Sequence, residues 1–298
     1  MSLAQLSGDW LKRVRRDEPM SKHTSWHVGG PADLYFEPRD VDDLAAFLRS
    51  LPAEVAVTWL GLGSNLLVRD GGIRGAVIAT SDALGRIERV GETRVYCEAG
   101  VPCARLAKLC IKWGLGPAEF FAGIPGTMGG ALAMNAGAFG GETWRHVVEV
   151  ETIARSGTRA TRTPADYSVG YRTVVGPADE WFLAARLEFE RKAATGDDEL
   201  RSMLARRKDS QPIGEWSCGS VFTNPQGDHA ARLIDSAGLK GLSVGGASVS
   251  TKHANFIINH GAASAADIEA LIADVQARVE KVHGVRLVPE VRVTGEKR

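Results

Sequence analysis

Apolar positions recur along this chain at two spacings, and the spacing changes from segment to segment. In "PADLYFEPRDVDDLAAFLRSLPAEVAVTWLGLGSN" (31–65) the pattern predicts strand, helix, strand and loop. Asp40 stands where an N-cap belongs, Leu44, Phe47, Leu48 and Leu51 make one apolar face, and "EVAVTWLG" is rich in β-branched and aromatic residues. "GAVIAT" (Gly75 to Thr80) is expected to pair beside that strand and close a small α/β unit near residue 82. "RIERVGETRVYCEAGV" reads as a hairpin turning at Gly91, followed by a helix with Leu106, Leu109, Cys110 and Trp113 on one side. "HVVEVETIARSGTRATRTP" reads as a second hairpin, and in "WFLAARLEFER" Trp181, Leu183, Ala185, Leu187 and Phe189 alternate onto one face. Past a loop-rich stretch, "SAADIEALIADVQARVEKVHG" predicts an amphipathic helix. Ser264 caps it, Ile268, Leu271, Ile272, Val275, Val279 and Val282 form its stripe, and Gly284 ends it. "VRLVPEVRVTG" is expected to be the closing strand, and Leu6, Trp10 and Val14 a short docking helix at the N-terminus. The fold class is α+β. Its expected modules are 1–82, 83–206 and 207–285, with the last strand, 286–298, free to return to the second.

Composition narrows the function classes. The chain has 298 residues, 44% of them hydrophobic, and equal numbers of Lys+Arg and Asp+Glu (36 each), so a basic excess of the kind nucleic-acid binders carry is missing. Cys97, Cys103, Cys110 and Cys218 show no CxxC pairing and no zinc-like spacing to histidine, which reads as a reduced, cytoplasmic protein without a metal site. No window approaches the roughly 18 apolar residues of a membrane span. The N-terminal stretch lacks a signal-peptide core.

Two glycine-rich loops interrupt this ordinary pattern. "GLGSNLLVRDGG" follows a predicted strand but carries Leu66 where the dinucleotide fingerprint has its third glycine. "EFFAGIPGTMGGALAMNAGAFGGE" (119–142) packs seven glycines and five alanines into 24 residues, and no Lys-Ser/Thr follows to make it a P-loop. Successive amide groups in a tight glycine turn make a donor nest suited to a diphosphate, and Ser64 and Asn65 add side-chain donors there. Two such loops point to a cofactor with phosphates and a flat ring.

Seven motifs then fall in order. They are "TSWHVGGPA" (24–32), "GLGSNLLVRD" (61–70), "GIPGTMGGALAMNAGAFGGE" (123–142), "YSVGYR" (167–172), "CGSVFTNP" (218–225), "KHANFIIN" (252–259) and "PEVR" (289–292). Together they resemble the UDP-N-acetylenolpyruvoylglucosamine reductase family, in its shorter form without the extra Tyr loop. The resemblance implies a two-module FAD-binding region of the vanillyl-alcohol-oxidase type and a third, substrate-binding domain. By motif, Gly61, Leu62, Gly63, Ser64 and Asn65 would cradle the FAD diphosphate. Gly123, Ile124, Pro125, Gly126 and Thr127, with Asn135, Ala136 and Gly137, would lie along the ribityl chain and ring. No His stands in "GLGSN", so the FAD is expected to be non-covalent.

The same resemblance implies the reaction. NADPH reduces FAD and leaves; the enolpyruvyl ether of a UDP-sugar enters, takes a hydride at its methylene carbon and a proton at the adjacent carbon. By that resemblance Ser220 is the proton donor, Arg172 the clamp on the substrate carboxylate and Glu290 a second electrophile at the enolate, protonated in the complex. Tyr171, Lys208, Asn224 and Lys252 match its UDP-sugar contacts, and Thr223 stands where many relatives have Lys. Read without it, Ser220 is a turn residue before a strand, Arg172 a surface ion-pair partner and Glu290 an exposed strand end. Cys218 reads as packing and His253 as structural. No obligate protein partner is indicated. Two rivals are another FAD oxidase or dehydrogenase of this fold and a non-catalytic nucleotide-binding module.

Overall fold

A capping carboxylate at Asp40 and a capping box at Ser264 mark helices at the places where the chain changes period. The computed structural model describes residues 8–81, 83–192 and 198–298. Its contacts divide the chain into two units, one of Met1–Arg16, Leu34–Gly61 and Gly75–Leu204, the other of Asp17–Asp33, Leu62–Arg74 and Ala205–Arg298.

The first unit holds two cores. Around the first, helix α1 (Val41–Ser50) starts where Asp40 Oδ1 accepts the Asp43 amide at 2.8 Å, and it buries Leu44, Phe47 and Leu48. Strand Val57–Leu60 runs parallel to Ile73–Ala79, with Val57 opposite Ala76. The expected N-terminal helix is a five-residue 3-10 turn, Asp9–Arg13, anchored by Trp10 edge-on to Phe36 and Phe47. Leu6 lies outside the described residues.

The second core lies under an antiparallel five-stranded sheet ordered Arg159–Arg162, Val147–Ala154, Glu180–Glu188, Arg94–Glu98, Ile87–Val90. Gly91, at φ +73°, turns its edge hairpin as expected. In the central strand Leu183 packs into the first core and Ala185 and Leu187 into the second, so one alternating face serves both. Helix α2 (Cys103–Lys112) buries Cys103, Leu106, Ala107 and Cys110, and helix α3 (Met128–Met134) adds Met128, Ala131 and Leu132. Helix α4 (Asp198–Ser210) follows, and its residues from Ala205 on belong to the second unit.

The second unit is built on the longest helix. Helix α5 (Ala230–Ser236) and strands Ser243–Val244, Ala247–Val249 and Ile257–Asn259 occupy the stretch read as loop. Helix α6 (Ala265–His283) has the expected capping box of Ser264 with Asp267, and Gly284 closes it in the left-handed conformation. Its stripe ends at Val279; Val282, expected to belong to it, is 57% exposed.

Two expectations about boundaries are corrected. Asp17–Asp33 and Leu62–Arg74 leave the expected first module because Trp26, Val28 and Leu67 insert into the α6 core. Asp70 also accepts the Ala265 and Ala266 amides at 3.0 and 2.9 Å. The closing segment forms a strand only at Arg292–Thr294, parallel to Leu66–Val68, and so stays in the second unit instead of returning to residues 83–206.

Candidate active site

The Gly/Ala region of the first unit owes part of its glycine content to packing on itself. A Cβ on Gly123 would lie 2.5 Å from Ala138 Cβ, one on Gly137 2.2 Å from the Gly141 carbonyl, and one on Gly141 2.4 Å from the Phe120 ring. Bare main chain at Gly123 and Gly137 therefore follows from the protein's own contacts, where a flat ring was the expected reason. Nor is the start of α3 an open anion cradle, since the Met128 and Gly129 amides donate to Val101 and Ala99.

Thr127 is different. It is 1% exposed, its Oγ1 has no hydrogen-bond partner among the described residues, and a Cβ on Gly61 would come within 2.5 Å of that oxygen. A buried hydroxyl is rarely left unmatched in a finished structure. This pair fits a ligand oxygen lying along main chain.

Arg172 is drawn to the same region. Its Nη1 and Nη2 donate to the carbonyls of Asn135 (3.2 Å) and Gly137 (2.8 Å), and its guanidinium sits 5.2 Å from the centre of the half-exposed Tyr171 ring. Asn135 ends α3 at φ +47° and is locked by its side chain, which donates to the Gly170 carbonyl and accepts the Trp144 amide. Arg172 itself has φ +55°, a conformation that costs a non-glycine residue about 1 kcal/mol or more. Strain held by surrounding bonds is a mark of functional positions.

In the second unit the predicted phosphate loop has the form its sequence calls for. Gly63 turns at φ +62°, and the backbone amides of Gly63 and Ser64 donate to no acceptor among the described residues. A Cβ on Gly63 would fall 2.0 Å from the His23 carbonyl. Gly63→Ala is expected to cost about 3 kcal/mol and to lower Tm by roughly 6–12 °C; an unchanged thermal unfolding curve contradicts this. Asn65 joins the loop to "PEVR", donating from Nδ2 to the Glu290 carbonyl at 3.0 Å and accepting the Arg292 amide.

Ser220 and Glu290 stand on adjoining segments. The Glu290 amide donates to the Val221 carbonyl (2.8 Å) and the Thr223 amide to Val288 (2.9 Å). Ser220 is half-buried and its hydroxyl bonds to none of the described residues, so it does no turn-capping work. Its segment is fixed by Asn255, 4% exposed, which accepts the Phe222 amide and donates to the Phe222 carbonyl. Sequence reasoning did not single out Asn255, although it lies inside "KHANFIIN"; a buried Asn between apolar residues was the available signal.

Other expected residues take separate places. Lys252 Nζ donates to the Lys208 carbonyl at 2.5 Å, which brings those two together. Asn224 accepts the Ala230 amide, capping α5 with its oxygen. His253 packs edge-on to Phe256, and burial lowers its pKa. Cys218 is packing: its thiol lies 3.3 Å from Ser25 Oγ and 3.5 Å from the Leu66 carbonyl. Burial pushes the thiols of Cys103, Cys110 and Cys218 up to about 12, and that of Cys97 well above its ordinary value. Iodoacetamide at pH 8 should leave all four unmodified in the native protein and label them after denaturation, as read by mass spectrometry.

Residues 211–294 match the UDP-N-acetylenolpyruvoylglucosamine reductase C-terminal domain, and residues 32–161 match an FAD binding domain. Proteins called UDP-N-acetylenolpyruvoylglucosamine reductase from Alkalilimnicola ehrlichii and Methylococcus capsulatus are 58% and 56% identical to this chain. The matches cover 95% and 97% of this chain, and 95% and 94% of those proteins. The chain belongs to the UDP-N-acetylenolpyruvoylglucosamine reductase family. The crystal structure of the Thermus caldophilus reductase superposes with a TM-score of 0.81 at 32% identity, over 94% of this chain and 98% of that one. An FAD binding domain together with the reductase C-terminal domain, in a chain of mixed helices and strands, is thus the fold class. No helix among the described residues is long and apolar enough to cross a membrane.

Proposed function

We propose that this chain is an FAD-dependent oxidoreductase that reduces UDP-N-acetylglucosamine enolpyruvate to UDP-N-acetylmuramate with NADPH, in peptidoglycan precursor synthesis. The carrying observation is the match to named reductases over 95% or more of the chain, together with the reductase C-terminal domain match at residues 211–294, which includes Ser220 and Glu290. FAD bound by the chain without a covalent link would supply the hydride chemistry at the enolpyruvyl methylene carbon.

The free amides of Gly63 and Ser64 suit the cofactor's diphosphate, with Gly61, Leu62 and Asn65 completing that loop. The orphan Thr127 hydroxyl suits one of its oxygens, with Gly123–Gly126 and Asn135–Gly137 as the neighbouring main chain. The chain's own residues handle charge and proton. Arg172, braced on two carbonyls, presents a planar fork to the substrate carboxylate and so stabilises the negative charge that develops beside it. Ser220 gives its hydroxyl proton to the carbon next to that carboxylate; a hydroxyl is a weak acid, but a carbanion is a strong enough base to take its proton. Glu290, protonated in the complex, donates to the enolate oxygen instead of repelling it. Tyr171, Lys208, Asn224 and Lys252 contact the UDP-sugar. The enzyme works in the cytoplasm.

The test is anaerobic. Enzyme reduced by NADPH should regain its oxidised flavin spectrum on mixing with UDP-N-acetylglucosamine enolpyruvate. If it stays reduced, the substrate assignment fails, and another oxidase or dehydrogenase of this fold takes its place. Purified protein that takes up no FAD would leave only a nucleotide-binding module.

A further inference from the structure

Arg172 stands in the two-residue turn of a small hairpin, in which strand Ser168–Gly170 pairs antiparallel with Thr173–Val175 and Gly170 faces Thr173. So short a hairpin is marginal in water, and its position has to come from what it packs against. Just outside its last pair, Ser168 with Val175, Tyr167 covers Gly176: a Cβ on that glycine would fall 2.2 Å from the Tyr167 ring. Aromatic cover of a strand glycine pins register. The centre of the same ring lies 4.7 Å from that of Trp144 and 5.7 Å from that of Phe182, the spacing of attractive aromatic pairs. Val174, on the returning strand, packs beside it against the second core.

Trp144 also governs the guanidinium. Its indole Nε1 donates to the Leu132 carbonyl of α3 at 2.8 Å, and its amide donates to Asn135 Oδ1 at 3.1 Å. Asn135 in turn donates from Nδ2 to the Gly170 carbonyl at 3.1 Å and receives Arg172 Nη1 at its own carbonyl. The side chain of Arg172 is thus referred to Trp144 through Asn135, and its main chain to the same indole through Tyr167.

We infer that Tyr167 is a positioning residue for Arg172, its ring, seated on Trp144 and Gly176, setting where the turn places the guanidinium. This deepens the proposed function and rests on the reading of Arg172 as the carboxylate clamp. A displacement of about 1 Å at a reacting centre costs on the order of 10²-fold in rate, so a shift at the base of so short a hairpin is felt at its tip. The contacts are those of the ring, and phenylalanine should make them too.

Stopped-flow measurement of both half-reactions on FAD-loaded enzyme tests this. Tyr167→Ala should keep its FAD, be reduced by NADPH within about twofold of the parent rate, and lose about 10- to 100-fold in reoxidation by UDP-N-acetylglucosamine enolpyruvate. Tyr167→Phe should stay within about threefold of the parent in both steps, because the aromatic contacts survive. Gly176→Ala leaves Tyr167 and Arg172 in place but pushes the ring off its seat, so it should show the same selective loss even if Tyr167→Ala fails to fold. A double-mutant cycle decides the route: in an Arg172→Ala background, Tyr167→Ala should slow reoxidation by no more than about twofold, since its effect passes through the guanidinium. A role in stability alone would lower Tm, impair both half-reactions together and add its effect to that of Arg172→Ala, and that result overturns the inference. So does reoxidation at the parent rate in Tyr167→Ala beside a slow Arg172→Ala, which would leave the clamp reading standing. An Arg172→Ala variant as fast as the parent, or a parent that the enolpyruvate does not reoxidise, would remove that reading and this inference with it.

Discussion

Ser220→Ala should reduce its flavin with NADPH at the parent rate and then lose about 10³-fold in reoxidation by UDP-N-acetylglucosamine enolpyruvate, the scale of a general acid. The selectivity follows from where the hydroxyl is placed. It bonds to none of the described residues, and the segment around it is held by Asn255 and by pairing with Val288–Glu290, none of which the substitution touches. Thermal stability should therefore stay within about 0.5 kcal/mol of the parent. Stopped-flow measurement of the two half-reactions decides the matter. Equal loss in both would mean that Ser220 has a structural role and the proton comes from elsewhere.

Arg172→Ala should slow the same second half-reaction by about 10²- to 10³-fold, the size of a lost oxyanion donor. Two effects combine here, because the guanidinium also ties together the Asn135 and Gly137 carbonyls. Arg172→Gly separates them from backbone strain: glycine accepts φ +55° without cost, so its stability should exceed that of the Ala variant while its rate stays equally low. Arg172→Lys keeps the charge but not the fork, and should recover little. Unchanged single-turnover rates in all three would take Arg172 out of the chemistry.

Much of the secondary structure could be read locally. Asp40, Ser264, Gly284 and Gly91 each act within a few residues of themselves, so a cap or a turn at those places needs no knowledge of the rest of the chain. The motifs pointed to the candidate site for the same reason, since Arg172, Ser220 and Glu290 each stand at a fixed offset within one of them. Helix α4 escaped notice because only Leu200 and Met203 are buried along 13 largely charged residues, too thin a stripe for periodicity to show.

What the sequence by itself determined is the family, and with it the candidates for a proton donor, a carboxylate fork and a bare amide. Which contacts hold those residues was decided by tertiary structure. Trp26 and Leu67 join the core of α6 from far away in the chain, Asn255 fixes the backbone beside Ser220, and Gly123 is small because Ala138 and Phe139 occupy the space beside it. Pairings over such distances leave no periodic trace in the chain, because the free energy that selects them comes from burial and hydrogen-bond matching that exist only once the partners have met.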